Sequence, residues 1–169
     1  MKTYSIAVGL KAPDPEAVTA LNAIGSMGLQ LPPARLERYD VWQFQLQKGG
    51  EETVLEIVGH FTDIVNPNKH KWTFAVPGEN IQGQSTGYNW TGLLVSDRDD
   101  SVGANWREIL KRRGFPVQAV FRKTLWMFGY LKDLDDSLVS TMAMKLAVSS
   151  DRTGGLLSNP VFQEVTPWT

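Results

Sequence analysis

The sequence predicts an α+β protein built on a mainly antiparallel sheet with two or three helices, and an elaborated ferredoxin-like split βαβ is one arrangement that fits. Three observations support this class. Several runs alternate apolar and polar residues with the period of a strand, and other runs space their apolar residues as a helix does. The two kinds do not alternate regularly, as they do in a doubly wound fold. At 169 residues, we expect the chain (residues 1–169) to form a single domain.

The first half begins with a strand and a helix. Residues 3–10 alternate apolar and polar side chains, which is typical of a strand with one buried face. Asp14 is then placed to cap a helix that has Pro15 at its first position. We expect this helix to end near Gly25 or Gly28.

Three more strands are predicted before the middle of the chain. Residues 42–47 alternate bulky apolar residues with glutamine and therefore predict a strand. The Lys-Gly-Gly turn at residues 48–50 predicts a hairpin whose second strand lies within residues 54–65. Residues 71–76 alternate again and predict another strand.

The second half is predicted to contain a loop followed by two helix–strand units. These elements are a Gly-rich loop at residues 78–92, a helix beginning at Ser101 or Asn105, a strand over residues 117–131, a helix capped by Asp133 and an edge strand over residues 161–165. We find no convincing internal repeat in the sequence.

Composition excludes several kinds of active site. The chain has no Cys, which removes disulfides, iron–sulfur clusters, thiolate zinc sites and cysteine nucleophiles. Its two histidines, His60 and His70, flank a loop, but nothing in the sequence orients either ring, so we predict no metal site. Residues 78–85 resemble a phosphate-binding P-loop, yet Gln84 stands where that loop needs lysine. We therefore predict no catalytic residues and no cofactor, in a protein that is not an enzyme.

A basic segment is hidden by the formal net charge of −1. Residues 101–132 carry seven Lys or Arg against one Glu, with aromatic residues interleaved. A groove for single-stranded nucleic acid needs this combination to stack bases and neutralise phosphates, so such binding by residues 106–132 is our alternative function. The predicted polyanion-binding residues are Arg107, Lys111, Arg112, Arg113, Arg122, Lys123 and Trp126. Cations that end a helix and aromatics that face a core would give the same pattern.

Tryptophan placement favours an interface. Trp90 in the Gly-rich loop and Trp168 near the last residue are hard to bury within a small monomer, so we predict both as anchors of a protein–protein interface. A basic segment beside acidic flanks also permits complementary contacts between copies.

These observations predict a non-enzymatic structural or scaffolding protein that self-assembles into a homo-oligomer, such as a component of a viral or phage particle. The sequence has no apolar stretch of the length that a signal or membrane segment needs. We therefore expect a cytoplasmic protein, or a virion protein if it is viral. The expected partners are copies of itself and no membrane, with single-stranded nucleic acid as the alternative.

Overall fold

A computed structural model describes residues 1–148 and 157–169 and confirms the α+β class with a mainly antiparallel sheet. The ten elements of this part of the chain are β1 (Lys2–Leu10), α1 (Pro15–Gly25), β2 (Arg35–Leu46), α2 (Glu51–His60), β3 (His70–Ala75), β4 (Tyr88–Asp97), α3 (Ser101–Arg112), β5 (Val117–Leu131), α4 (Asp136–Val148) and β6 (Gln163–Pro167). Most predicted elements are therefore present, and three predictions of elements need correction. The first is the cap of the last helix, which begins at Asp136, because the N–H groups of Ser137 and Leu138 donate to Asp135 and not to Asp133.

The hairpin strand predicted within residues 54–65 is wrong, because residues 51–60 form the helix α2. Its buried residues Val54 and Ile57 lie one turn apart and face the sheet together. Glu51 and Glu52 occupy the first turn, where the helix dipole favours carboxylates. This helix raises the number among the described residues to four, above the two or three expected.

The Gly-rich loop predicted at residues 78–92 ends earlier than expected, because β4 already begins at Tyr88. Gly92 lies inside this strand, in close contact with two side chains. A Cβ at this position would lie 2.7 Å from Met127 Sδ and 2.8 Å from Trp168 Cβ. Glycine is therefore required here by packing, and its presence is not a sign of a loop.

The sheet has six strands in the order β3-β1-β2-β5-β4-β6. Both β2 and β3 run antiparallel to β1, so they are parallel to each other with β1 between them. The unit β2-α2-β3 is thus a split βαβ, and β5-α4-β6 repeats it around β4. Each half of the chain has the element order βαβαβ, and the two halves are related by a pseudo-twofold axis between β2 and β5.

The register of β2 against β5 shows that this repeat extends to individual residues. The pair Asp40↔Thr124 lies at its centre. On either side of this centre, the same cross-strand pair of an arginine and a tryptophan occurs twice, and the same pair of an aliphatic residue and a phenylalanine follows it. These pairs are Arg38↔Trp126 with Trp42↔Arg122, and Leu36↔Phe128 with Phe44↔Val120. The expectation that the chain has no internal repeat is therefore wrong.

All four described helices pack on one face of the sheet and cover two hydrophobic clusters. One cluster joins α1 and α4 to the strand residues Trp126 and Phe128, and the other joins α2 and α3 to Trp42 and Phe44. Trp126 therefore lies against α1 of the first half. Trp42 lies against Trp106 of α3, at 6.1 Å between ring centroids. Each half thus covers a tryptophan of the other.

The opposite face of the sheet is covered without helices. Ile81, from the loop at residues 76–87, packs there with Tyr39, Val41 and Trp168. This third cluster covers only part of the face. The rest of the face carries polar side chains such as Gln43, whose Nε2 donates to the Ser5 hydroxyl at 3.2 Å.

We predict that Tyr130→Phe stabilises the protein by about 1 kcal/mol, because Tyr130 is fully buried and its hydroxyl has no hydrogen-bond partner within residues 1–148 and 157–169. Burial raises the pKa of the Tyr130 phenol to about 12, above the value near 10 of an unfolded chain. The folded protein therefore resists ionisation of Tyr130, and the free energy of unfolding of the wild type is expected to fall as the pH rises from about 10 towards about 12.

Urea unfolding of the two proteins at a series of alkaline pH values measures both effects. The free energy of unfolding of Tyr130→Phe should fall less steeply than that of the wild type in this range. Equal slopes would show that Tyr130 ionises as readily in the folded protein as in the unfolded one.

Candidate functional site

The outer edge of β3 is one of the two edges of the sheet in the described part of the chain. Within the described residues β3 pairs with β1 alone, so its other side has no neighbouring strand. Edge strands of this kind present rows of N–H and C=O groups that can pair with another chain.

The hydrogen-bond pattern shows which groups of β3 face outwards. The Lys11 N–H donates to the Lys69 carbonyl at 2.9 Å, which directs the Lys69 backbone towards β1. Direction alternates along an antiparallel strand, so Thr73 also faces β1 while Trp72 and Phe74 face away. Two pairs of backbone groups are therefore directed away from the sheet in the middle of a six-residue strand.

The ends of β3 are already occupied by local bonds. The His70 N–H donates to the Asn66 carbonyl at 2.8 Å, and the Val76 carbonyl accepts from the Glu79 N–H at 3.0 Å. The part of the edge without backbone bonds is therefore confined to residues 72–74, where the Phe74 carbonyl accepts from the Thr73 hydroxyl at 3.1 Å.

The side chains of β3 divide between the two faces of the sheet. Trp72 and Phe74 lie on the face with the helices, half-buried and packed against each other at 5.5 Å between ring centroids. Lys71 and Thr73 lie on the opposite face, where the Thr73 hydroxyl contacts Gln82 Oε1 at 3.0 Å.

The other edge of the sheet, β6, carries an ion pair and a terminal proline, whereas β3 has the exposed Lys71 near its start and no proline. Glu164 forms an ion pair with Arg98 at 2.8 Å, and the Gln163 amide donates to Asp97 at 2.9 Å. The strand ends at Pro167, which has no N–H to offer. Charges and proline are features with which proteins keep edge strands from pairing.

The two predicted anchor tryptophans are buried within their own chain. Trp90 is 9% exposed and Trp168 is 5% exposed. The indole N–H of Trp90 donates to the Ser85 carbonyl at 2.7 Å, and that of Trp168 donates to the Glu79 carbonyl at 2.9 Å. The premise that a small chain could not bury them is wrong. Their role as interface anchors stays a prediction. Only a small part of either indole is accessible to a partner.

Four of the predicted polyanion-binding residues lie on α3 or just after it, namely Arg107, Lys111, Arg112 and Arg113. Arg107 is engaged within the chain, since Nε donates to the Gln118 carbonyl at 2.7 Å and the guanidinium pairs with Glu108 at 2.8 Å. The other three are exposed, and the Arg113 guanidinium lies 5.9 Å from the centroid of the Phe61 ring.

The remaining three residues of the predicted groove lie elsewhere. Arg122 is on the face with the helices, where its guanidinium pairs with Asp40 at 2.9 Å. Lys123 is on the opposite face, with its ammonium 5.8 Å from the centroid of the Phe121 ring. Trp126 is 6% exposed in the core. The structure therefore does not bring the seven residues together in one groove.

Charged groups also meet near the pseudo-twofold axis, between the two helix-covered clusters. Asp14 caps α1 and pairs with Arg38 Nε at 2.9 Å. Asp100 caps α3 and accepts from the Arg122 backbone N–H at 2.8 Å. These bonds connect the first turn of one helix in each half to β2 or β5. The carboxylates of Asp14 and Asp100 therefore have a structural role.

A second polar group lies under the loop at residues 76–87. Glu37 accepts hydrogen bonds from the Tyr39 hydroxyl and from Gln84 Nε2, the latter at 3.0 Å. Burial and the Glu37 carboxylate raise the pKa of the Tyr39 phenol above its usual range. Glu37 and Tyr39 line a cavity of about 220 Å³ together with Gly9 and Lys71.

The two histidines make local contacts. His60 Nδ1 lies 2.8 Å from the Glu56 carbonyl, and His70 Nδ1 accepts from the Asn66 N–H at 2.9 Å. In residues 1–148 and 157–169, no three His, Asp or Glu side chains are grouped so that they could hold a metal ion.

No known protein family has a model that matches this chain, and no curated protein matches it significantly. Among the described helices, none has the length and apolar character needed to cross a membrane.

We predict that Trp168→Ala lowers the free energy of unfolding by about 3 kcal/mol, since it empties the space above Gly92 and removes the bond to Glu79. Chemical denaturation measures this loss. Trp168→Phe is the matched control, because it keeps most of the buried area and loses only the hydrogen bond. An alanine variant as stable as the wild type would contradict the observed burial.

Proposed function

We propose that the chain is a non-enzymatic structural protein that assembles with copies of itself through the outer edge of β3. The observation that supports this proposal is the difference between the two edges of the sheet. The β6 edge carries an ion pair and a terminal proline, whereas β3 has no proline and its outward backbone groups at residues 72–74 belong to uncharged residues that follow Lys71.

A partner strand can pair with β3 through the backbone N–H and C=O groups that face away from β1. Main-chain hydrogen bonds provide affinity when a strand is added to an open edge, and alternate side chains provide specificity. Here the outward backbone groups belong to Trp72 and Phe74, whose rings are half-buried. A partner strand would bury more of both rings, and apolar area removed from water stabilises by about 25 cal/mol per Å².

The charges at this edge permit pairing. Lys71 is the one residue among the Lys, Arg, Asp and Glu types in this strand, and residues 72–75 have uncharged side chains. A partner strand therefore meets repulsion only if it places a second lysine directly opposite Lys71.

We predict that the wild type is larger than 18.8 kDa in solution and that Phe74→Pro returns it to a monomer. The N–H of Phe74 faces away from β1, so proline there keeps the bonds to β1 and removes a donor from the open edge. Phe74→Ala is the matched control, since it loses the same ring but keeps the N–H. Light scattering at several micromolar concentrations measures the masses, and circular dichroism checks that each variant is folded.

The alanine variant should retain more assembly than the proline variant. A wild type that has the monomer mass at every concentration rejects the proposal. An oligomer that survives Phe74→Pro would place the interface elsewhere.

A second candidate function is binding of single-stranded nucleic acid, now confined to the end of α3. Lys111, Arg112 and Arg113 are exposed together there. Beside them lie the half-buried rings of Phe61 and Phe115, at 6.1 Å between centroids. Exposed cations next to aromatic rings are the combination that phosphates and stacked bases require.

We predict that, if this patch binds nucleic acid, Arg112→Glu weakens binding and lowers the slope of log affinity against log salt by about one. Fluorescence anisotropy with a labelled single-stranded oligonucleotide measures both. Lys123→Glu is the control, because it makes the same charge change on the other face of the sheet. Equal losses in the two variants would indicate a general charge effect, and absence of binding at low salt rejects this candidate.

A further inference from the structure

Resting on the proposed function, we infer that two copies pair through antiparallel β3 strands about a twofold axis at Thr73. In this arrangement Trp72 of each copy lies opposite Phe74 of the other, and the assembly is a dimer. The inference follows from the few backbone groups of β3 that remain open.

The direction of those groups limits the possible registers. Trp72 and Phe74 face outwards, so they must form the hydrogen-bonded pairs of the new ladder. Twofold pairing can then place its axis at Trp72, at Thr73 or at Phe74.

Local bonds at the ends of the strand distinguish these registers. An axis at Trp72 sets Phe74 opposite His70, whose N–H is already bonded to Asn66. An axis at Phe74 sets Trp72 opposite Val76, whose carbonyl already accepts from Glu79.

An axis at Thr73 pairs Trp72 with Phe74 and sets His70 opposite Val76, so the occupied His70 N–H faces the occupied Val76 carbonyl. Of the groups that would pair, the Phe74 carbonyl accepts from the Thr73 hydroxyl at 3.1 Å, and the same hydroxyl lies 3.0 Å from Gln82 Oε1. A carbonyl oxygen has two lone pairs, so this register forms its bonds between Trp72 and Phe74 without breaking a backbone bond.

In each of the other two registers, one group at each end of the ladder faces a partner that is already bonded to Asn66 or Glu79. Either that group stays unpaired or the local bond breaks, and a buried unsatisfied group costs about 1–3 kcal/mol.

Side chains agree with this register. Lys71 lies opposite Ala75 of the second copy, so the two lysines do not face each other. The rings of Trp72 and Phe74 are in contact within one chain, and the register places Trp72 of each copy opposite Phe74 of the other. Aromatic pairs across strands contribute about 0.2–1 kcal/mol each.

The same register explains why assembly stops at two copies. A twofold contact uses the same surface on both partners and so closes on itself. The free edges of the joined sheet are then the two β6 strands, which carry the Glu164–Arg98 pair and Pro167.

Cysteine cross-linking tests the register in the full-length chain, which has no cysteine of its own. Across the axis, the two Thr73 residues form a non-hydrogen-bonded pair, whose Cα atoms lie about 4.5 Å apart. This distance is within the range of a disulfide, about 4.4–6.8 Å. Thr73→Cys should therefore form a covalent dimer on mild oxidation, seen as a doubled mass on a non-reducing gel.

Lys71→Cys and Ala75→Cys are the matched controls. Each is four residues along the strand from its own copy in the dimer, about 13 Å away, and should not cross-link alone. A mixture of these two variants should cross-link, because Lys71 lies opposite Ala75 of the other copy. The mixture also tests the register without removing the Thr73 contact to Gln82.

The outcomes separate this inference from the proposed function. A monomer by light scattering rejects both. A dimer in which neither Thr73→Cys nor the mixture cross-links keeps assembly and rejects the register. Cross-linking of Lys71→Cys or Ala75→Cys alone also rejects it, in favour of a shifted pairing, and a mass above that of a dimer rejects the closed arrangement.

Discussion

The antiparallel pairing of β2 with β5 is the constraint on which the rest of the molecule depends. It is the strand pair that joins the two halves of the sheet. Its register decides that Trp126 lies under α1 and that Trp42 lies beside Trp106. A slip by one residue would turn all these side chains to the opposite face. The register of β2 against β5 therefore also determines which side chains the helices cover.

Much of the fold was predictable because its strands carry a local period of two, as in residues 42–47. The helix α2 was missed because the Lys-Gly-Gly turn before it resembles a hairpin turn. Gly49 does adopt a positive φ of 88°, but the chain enters a helix from it. The internal repeat was missed because equivalent positions share a physical role more often than an amino acid. Leu36, for example, corresponds to Val120. The amino acid is the same only at some positions, such as Arg38 with Arg122 and Trp42 with Trp126.

The candidate site was less predictable, since it depends on topology. Residues 71–76 predict a strand, but only the order of the sheet shows that this strand is an edge. The basic segment was misleading for a related reason. In a strand, successive residues point to opposite faces, so Arg122 and Lys123 are neighbours in sequence and are separated by the sheet. Trp168 is buried because Gly92 leaves space for it, a contact between distant parts of the chain.

The internal repeat also has a consequence for synthesis. The first half of the chain leaves the ribosome before its partner strand β5 has been made, so β2 emerges with one edge unpaired. Since β2 and β5 present the same sequence of arginine, tryptophan and phenylalanine positions, the β2 of a neighbouring nascent chain resembles the correct partner. A β2–β2 pair between two nascent chains would therefore compete with the intramolecular pairing of β2 with β5.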